Sequence, residues 1–382
     1  MRRSRLLAAL LLTVSVARLS SAEPEASLPD GLYAEFATPH GAVIVRLHYR
    51  QVPLTVTSFV GLAEGTLAPR DEHPFYTGLT WYRVVPGFVI QSGNPGLKDT
   101  GDVPIPYSFP DEFVPGLRHA EIGTLSMANA GPDTNGCEFF LTLADDTRLN
   151  YLYSVFGETV RGREILPQIK PDEPFTIRIL RVGAEAHAFR ADAEAFHALL
   201  AKARHYNGPA EPGPAAFFDD PAGLIPTDPP RARYFNYKLA NFAQTTGVRI
   251  VGRLFPHAPP AAEDAVPGAY MHALATKLGV DRRGALVAYF AEEKDWRIWL
   301  SDEAADTFLG HPATPADLAT EGPLHQLKTA FIDAAVAEGD AAYARQQKDS
   351  PPDQPPPPAQ RVKLQVDALL DHLILKLEPK HQ

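Results

Sequence analysis

The chain has 382 residues, 45% of them hydrophobic and 21% charged, with a formal net charge of −10. That length suggests two domains plus extensions, and the composition is that of a globular protein rather than a fibrous or disordered one. The acidic balance argues against phosphate backbones, so nucleic acid is not expected as a partner.

The first segment stands apart. Arg2, Arg3 and Arg5 precede an apolar stretch over residues 6–17, and Ser20, Ser21 and Ala22 place small residues where a signal peptidase would cut. This predicts a secretory signal cleaved after Ala22 and an exported protein, in a bacterial periplasm or cell envelope. Losing four arginines and no acid would take the formal charge to −14. No later apolar run approaches the ~20 residues of a membrane span. The single cysteine, Cys137, has no partner for an internal disulfide. Beside Glu138, Phe139 and Phe140 it reads as a small packing residue rather than a nucleophile. No His or Cys spacing suggests zinc, and no cofactor is expected.

After a short leader, apolar-rich runs at 33–38 and 42–47 flank Pro39-His40-Gly41, a hairpin signal. Pro53 opens a helix over 53–64, with Val56, Phe59, Val60 and Ala63 on one face and Gly65 at its end. Strands are predicted near 79–84, 88–91, 123–127, 138–143, 154–159 and 175–182. Many short strands with Gly/Pro turns and few helices predict a closed β-barrel.

A helix over 184–206 would leave the barrel, and a Pro/Gly-rich linker over 208–216 would follow. Then helix and strand alternate: helix 231–245, strand 248–254, helix 266–278, strands 285–291 and 296–300. That order predicts an α/β sandwich over 217–310. A helical extension is expected over 311–348. Residues 349–360 hold six prolines and read as a polyproline-type spacer. A last amphipathic helix over 361–377 would dock on a neighbouring domain or pair with a second copy of the chain.

Two segments resemble the cyclophilin family of peptidyl-prolyl cis/trans isomerases. One runs Trp81-Tyr82-Arg83-Val84-Val85-Pro86-Gly87-Phe88-Val89-Ile90-Gln91-Ser92-Gly93. The other runs Leu125-Ser126-Met127-Ala128-Asn129-Ala130-Gly131-Pro132-Asp133-Thr134-Asn135-Gly136 and ends in Phe139-Phe140. Val155-Phe156-Gly157 is a weaker third match. The resemblance covers roughly residues 32–183 and implies catalysed rotation about the X–Pro bonds of polypeptide clients. Uncatalysed, that rotation takes tens to hundreds of seconds, and no bond is broken, so neither nucleophile nor metal is needed. A fixed cation donating to the prolyl nitrogen, which regains its lone pair only in the twisted state, supplies differential binding. The resemblance gives this role to Arg83. It makes Phe88, Val89, Phe140 and Leu149 the wall that grips the proline ring, and has Gln91 hold Arg83 or the substrate carbonyl. The backbone of Asn129 would pair with the peptide, with Ala128 and Ala130 keeping the groove open. Tyr82, Glu138 and Tyr153 complete the candidate groove. They depart from the best-known members, as does Arg148 in place of a rim aromatic. The alternative is a catalytically weak module that binds proline-containing segments.

Residues 218–225, FDDPAGLI, resemble the opening of TPM domains, the family of thylakoid-lumen phosphatase and photosystem-repair proteins. Residues 242–250 and 278–287 extend that resemblance over roughly 215–310. It implies either a docking module or a weak phosphatase unit, with Asp219, Asp220 and Asp281 as candidate ligands for a hard cation. The competing reading of Asp219 and Asp220 is a turn and helix-capping pair before Pro221.

Overall fold

The structure is a computed structural model that describes residues 28–67, 74–95, 105 and 107–380. The predicted signal segment lies outside the described residues. Two strands, β1 (Gly31–Thr38) and β2 (Gly41–Leu47), form the expected hairpin, and α1 (Pro53–Glu64) ends at Gly65 with φ +86°. Val52 offers α1 no side-chain cap. Glu112 supplies it from elsewhere, its carboxylate accepting from the Leu54 and Thr55 amides at 3.2 and 2.7 Å.

Six more strands complete the first sheet: β3 (Arg83–Val85), β4 (Val89–Ser92), β5 (Thr124–Met127), β6 (Phe139–Thr142), β7 (Val155–Arg161) and β8 (Thr176–Val182). Their order is β3-β4-β6-β5-β7-β2-β1-β8. The sheet curls but is not the closed barrel expected from the sequence. Its edge strands β3 and β8 are not paired as a ladder. Among the described residues they are tied through the segments before them, by an isolated bridge between Thr80 and Pro174 and by backbone hydrogen bonds that include the Trp81 amide to the Glu173 carbonyl and the Asp172 amide to the Trp81 carbonyl. The concave side is filled by Phe36, Phe59, Trp81, Phe139 and Phe156, all fully buried. Cys137 lies within this core, where burial pushes its thiol up to about 12.

The predicted long helix after β8 is two short ones, α2 (Ala184–Ala188) and α3 (Ala193–Leu200). The break comes from Asp192, whose side chain caps α3 by accepting from the Ala195 amide at 2.9 Å. Next come β9 (Phe218–Asp219), α4 (Arg231–Thr246), β10 (Arg249–Phe255), α5 (Ala269–Lys277), β11 (Gly284–Phe290) and β12 (Asp295–Leu300). Their sheet has the order β12-β11-β10-β9, parallel except for β12. Alternate residues of β11 feed two cores, as a sheet covered on both faces requires. Leu286, Ala288 and Phe290 join α5, while Ala285, Val287 and Tyr289 face α4 and the helices that follow.

Those helices are α6 (Asp302–Leu309), α7 (Pro323–Asp349) and α8 (Pro358–Leu377). The proline-rich stretch is not a spacer between separated units. It is the loop of an antiparallel α7–α8 hairpin, held by Tyr343 Oη donating to the Pro356 carbonyl at 2.9 Å. Gly339 lets the two helices close: a Cβ there would lie 2.6 Å from Gln365 Cα. The apolar stripe of α8, including Leu369, Leu370, Leu373 and Ile374, is buried within the chain. That face is therefore occupied and not free to pair with a second copy. Among the described residues no helix is long and apolar enough to cross a membrane.

The second core reaches into the first part of the chain through Tyr151 and Phe113. Buried polar contacts line this junction. Asn241 Nδ2 donates to the Tyr151 carbonyl at 2.9 Å, Tyr151 Oη donates to Glu378, and Arg118 pairs with Glu378. Lys238 of α4 and Asp371 of α8 form an ion pair that is almost fully buried. Burial, together with neighbouring Asp367, pushes the Asp371 carboxyl up, and Lys238 opposes that rise.

Candidate active site

Strand register builds the site. Arg83 lies opposite Gln91, Gln91 opposite Phe140, and Phe140 opposite Ser126 across β3, β4, β6 and β5. Directly opposed residues project to one face of a sheet, so the cation, the amide and the aromatic ring form one row. Arg83 Nη1 donates to Gln91 Oε1 at 2.8 Å, and its guanidinium lies 5.7 Å from the centre of the Phe88 ring. The Gln91 amide group donates to Tyr82 Oη at 2.7 Å and to Glu138 Oε2 at 3.0 Å. Glu138 also accepts from Tyr82 Oη at 2.6 Å and from Asn94 Nδ2 at 3.0 Å. A carboxylate only accepts, so Glu138 fixes the Gln91 amide with its oxygen toward Arg83. Glu138 thus acts on Arg83 through Gln91, without pairing with it directly.

Arg83, Phe88, Val89, Gln91, Ala128, Asn129, Phe140, Leu149 and Tyr153 line one cavity of about 540 Å³. Tyr82 and Glu138 stand behind Arg83, and Ala130 lies on the exposed edge of its loop. Phe140 is held edge-on against Tyr153, with ring centres 5.6 Å apart. Arg148 reaches back from the rim to Asp146, with Nε and Nη2 at 2.8 and 2.6 Å from the two oxygens.

Several supporting residues were not singled out from the sequence. His119 stacks on Phe140, its ring nitrogens 3.0 Å from Asn150 Oδ1 and Ser126 Oγ. Burial lowers His119 to about 4, so it is neutral. Asp111 anchors the Ala128–Asn129–Ala130 loop. Its carboxylate accepts from Asn129 Nδ2, Asn135 Nδ2, Ser154 Oγ and the Asp133 amide, at 2.8–3.2 Å. Desolvation nevertheless raises Asp111 to about 6, the hydrogen bonds from Asn135, Asp133 and Ser154 only partly opposing it. Neither carries a local signal: His119 stands between Arg118 and Ala120-Glu121, and Asp111 directly precedes Glu112, so each reads as an ordinary surface residue.

The acidic trio in the second part does not converge. Asp220 accepts from the Leu224 and Ile225 amides at 2.9 and 3.0 Å, a turn role, and Asp281 is exposed after α5. Among the described residues no group of three or more His, Cys, Asp or Glu side chains is placed to hold a metal ion.

The family described as cyclophilin type peptidyl-prolyl cis-trans isomerase/CLD matches residues 33–183. The probable peptidyl-prolyl cis-trans isomerase A of Mycobacterium leprae is 41% identical over 139 residues, covering 35% of this chain and 75% of that protein. The chain belongs to the cyclophilin-type peptidyl-prolyl cis-trans isomerases. Peptidyl-prolyl cis-trans isomerase B of Streptomyces anulatus is 37% identical over 164 residues, covering 40% of this chain and 93% of its own. A crystal structure of a cyclophilin type isomerase from Cryptosporidium parvum aligns with TM-score 0.35 at 29% identity, over 40% of this chain and 98% of that one. The cyclophilin match ends at residue 183, just before α2, and the helices and second sheet form an extension beyond it.

Proposed function

We propose that this cyclophilin turns over X–Pro bonds in exported polypeptides, with Arg83 as its catalytic residue. The observation behind the assignment is the aimed guanidinium. Gln91 holds it at one rim of a cavity whose other walls are Phe88, Val89, Phe140 and Leu149. A proline ring seated on those apolar residues would present its nitrogen toward Arg83. Rotation crosses a barrier of about 18–20 kcal/mol because the amide loses resonance. In the twisted state the prolyl nitrogen becomes an acceptor, and a donor pre-aimed there stabilises that state more than either planar isomer. An arginine stays charged throughout, so the step needs no proton transfer. The assay is exchange between cis and trans forms of a prolyl peptide, with Arg83→Ala beside the wild type. Equal rates would remove Arg83 from the mechanism.

The export reading is supported by the basic-then-apolar pattern of residues 1–17 and the small residues before Glu23. The second sheet is read as a TPM-like docking module. Its support is the alternation of helix and strand, the 218–225 and 278–287 motifs, and the packing of α4 beside the cleft. With Asp220 engaged in a turn, the docking role is favoured over a metal-dependent phosphatase role. A thermal melt of the whole chain with added calcium tests this, and a rise in midpoint would favour the metal.

A further inference from the structure

The cleft has a second wall that comes from outside the family match. Arg231, Tyr234 and Lys238 of α4 and Lys363 and Asp367 of α8 line the same cavity as Arg83. Five cationic side chains border it (these three, Arg83 and Arg148) against two carboxylates, Asp146 and Asp367. In a chain of net charge −10 this surplus is local. Three of the cations are already matched: Arg148 by Asp146, Lys363 by Asp367 and Lys238 by Asp371. Among the described residues, Arg83 and Arg231 have no carboxylate within ion-pair distance. Arg231 opens α4, and the first turn of that helix contains no acid to neutralise it. Burial raises the Tyr153 hydroxyl and both arginines oppose that rise, so both lie within electrostatic reach of the ring that also steadies Phe140.

We propose that the α4–α8 wall sets substrate choice, and that Arg231 selects prolyl segments with a glutamate or aspartate within two residues of the proline. The inference rests on the reading of Arg83 as the catalyst of this cleft. Consecutive residues of an extended chain advance about 3.3–3.6 Å, so a carboxylate that close to the proline remains inside the cavity. A lysine at the same position would meet two unneutralised cations. It would find no free carboxylate in exchange, because Asp146 and Asp367 are engaged. The device is electrostatic complementarity across a binding cleft, which governs choice of partner more than total affinity.

The test uses the full chain and peptides of one sequence, with Glu, Gln or Lys either two residues before the proline or one after it. Isomerisation rate and equilibrium affinity are both read by NMR. Glu is expected to exceed Lys by about three- to fivefold at low salt, the range of one solvent-accessible charge pair, with the gap narrowing at high salt. Arg231→Gln should bring the ratio near one, Arg231→Lys should keep it, and Arg231→Glu should reverse it. A Glu-to-Lys ratio that is unchanged in Arg231→Gln, in both rate and affinity, overturns the proposal. Loss of turnover by every peptide, with the affinity ratio and its Arg231 dependence intact, would refute the isomerase reading and support this one.

Discussion

Arg83 and Gln91 face each other across one rung of the β3–β4 ladder, joined by a 2.8 Å hydrogen bond from guanidinium to amide oxygen. The amide is turned that way because its nitrogen is committed to Tyr82 and Glu138. Gln91→Leu should therefore leave the guanidinium in place but unaimed. We expect kcat to fall about tenfold or more with little change in KM, since the lost interaction matters chiefly in the twisted state. Steady-state isomerisation of a prolyl peptide checks this. A rise in KM alone would assign Gln91 to substrate binding instead.

Glu138 is two bonds removed from the chemistry, so its effect should be smaller. Glu138→Gln can still accept from Tyr82 and should retain most of the activity. Glu138→Leu frees the Gln91 amide to flip and should lose a substantial part of it. Equal activity in the two variants would show that the amide needs no such support.

The buried pair of Lys238 and Asp371 joins α4 to α8 within the cleft's second wall. Lys238→Met leaves Asp371 buried without its partner and should cost about 3–5 kcal/mol. Adding Asp371→Leu should recover much of that loss, because two apolar side chains need no solvation. Denaturant unfolding of the three proteins checks the sign; a double variant less stable than Lys238→Met would contradict it.

His119 gives a pH signature. Its folded pKa, about 4, lies below the ordinary 6.5. Its contribution is therefore fully present above pH 6.5 and is lost as pH falls through 4, a change of about 3 kcal/mol by linkage. Asp111 works oppositely. Raised from 3.8 to about 6, its contribution is present below 3.8 and lost as pH rises through 6. The two partly cancel in the wild type, so single variants are needed to separate them. His119→Gln should flatten the acid-side loss of stability, and melting curves parallel to the wild type would contradict the assignment.

The α7–α8 hairpin depends on close approach at Gly339. A Cβ there would press on the Gln365 backbone, so Gly339→Val should lower the melting temperature more than Gly279→Ala, where a Cβ meets nothing. Gly279 has φ +66°, so some loss is expected there too from backbone strain. A larger loss at Gly279 would argue against tight packing of the two helices.

Much of the first half is legible in the sequence because its signals are local. Pro39-His40-Gly41 marks the hairpin, Pro53 and Gly65 bracket α1, and the two long motifs place the row from Arg83 to Phe140. Helix α6 is absent from the sequence reading although Ser301 caps it, Gly310 ends it and Ala304, Ala305 and Phe308 mark one buried face, because eight residues are only about two turns and follow directly on a strand. The 184–206 helix was read too long because its apolar spacing continues across the Asp192 cap. The cleft's second wall has no local signal at all. Lys238 and Asp371 are 133 residues apart, and each alone reads as an ordinary charge on an amphipathic helix. Self-pairing of α8 was a fair expectation from its stripe; only the fold shows that the stripe is already covered.

The central claim is that an aimed guanidinium at Arg83 speeds X–Pro rotation. Its most direct test is the cis/trans exchange rate of one prolyl peptide with wild type, Arg83→Lys and Arg83→Ala at equal concentration. The account predicts a fall in kcat of about 10²–10³-fold for Arg83→Ala, the usual cost of removing one transition-state donor. Arg83→Lys should fall between them, keeping the charge but not the fork. Folded Arg83→Ala protein that turns the peptide over as fast as the wild type would contradict the account.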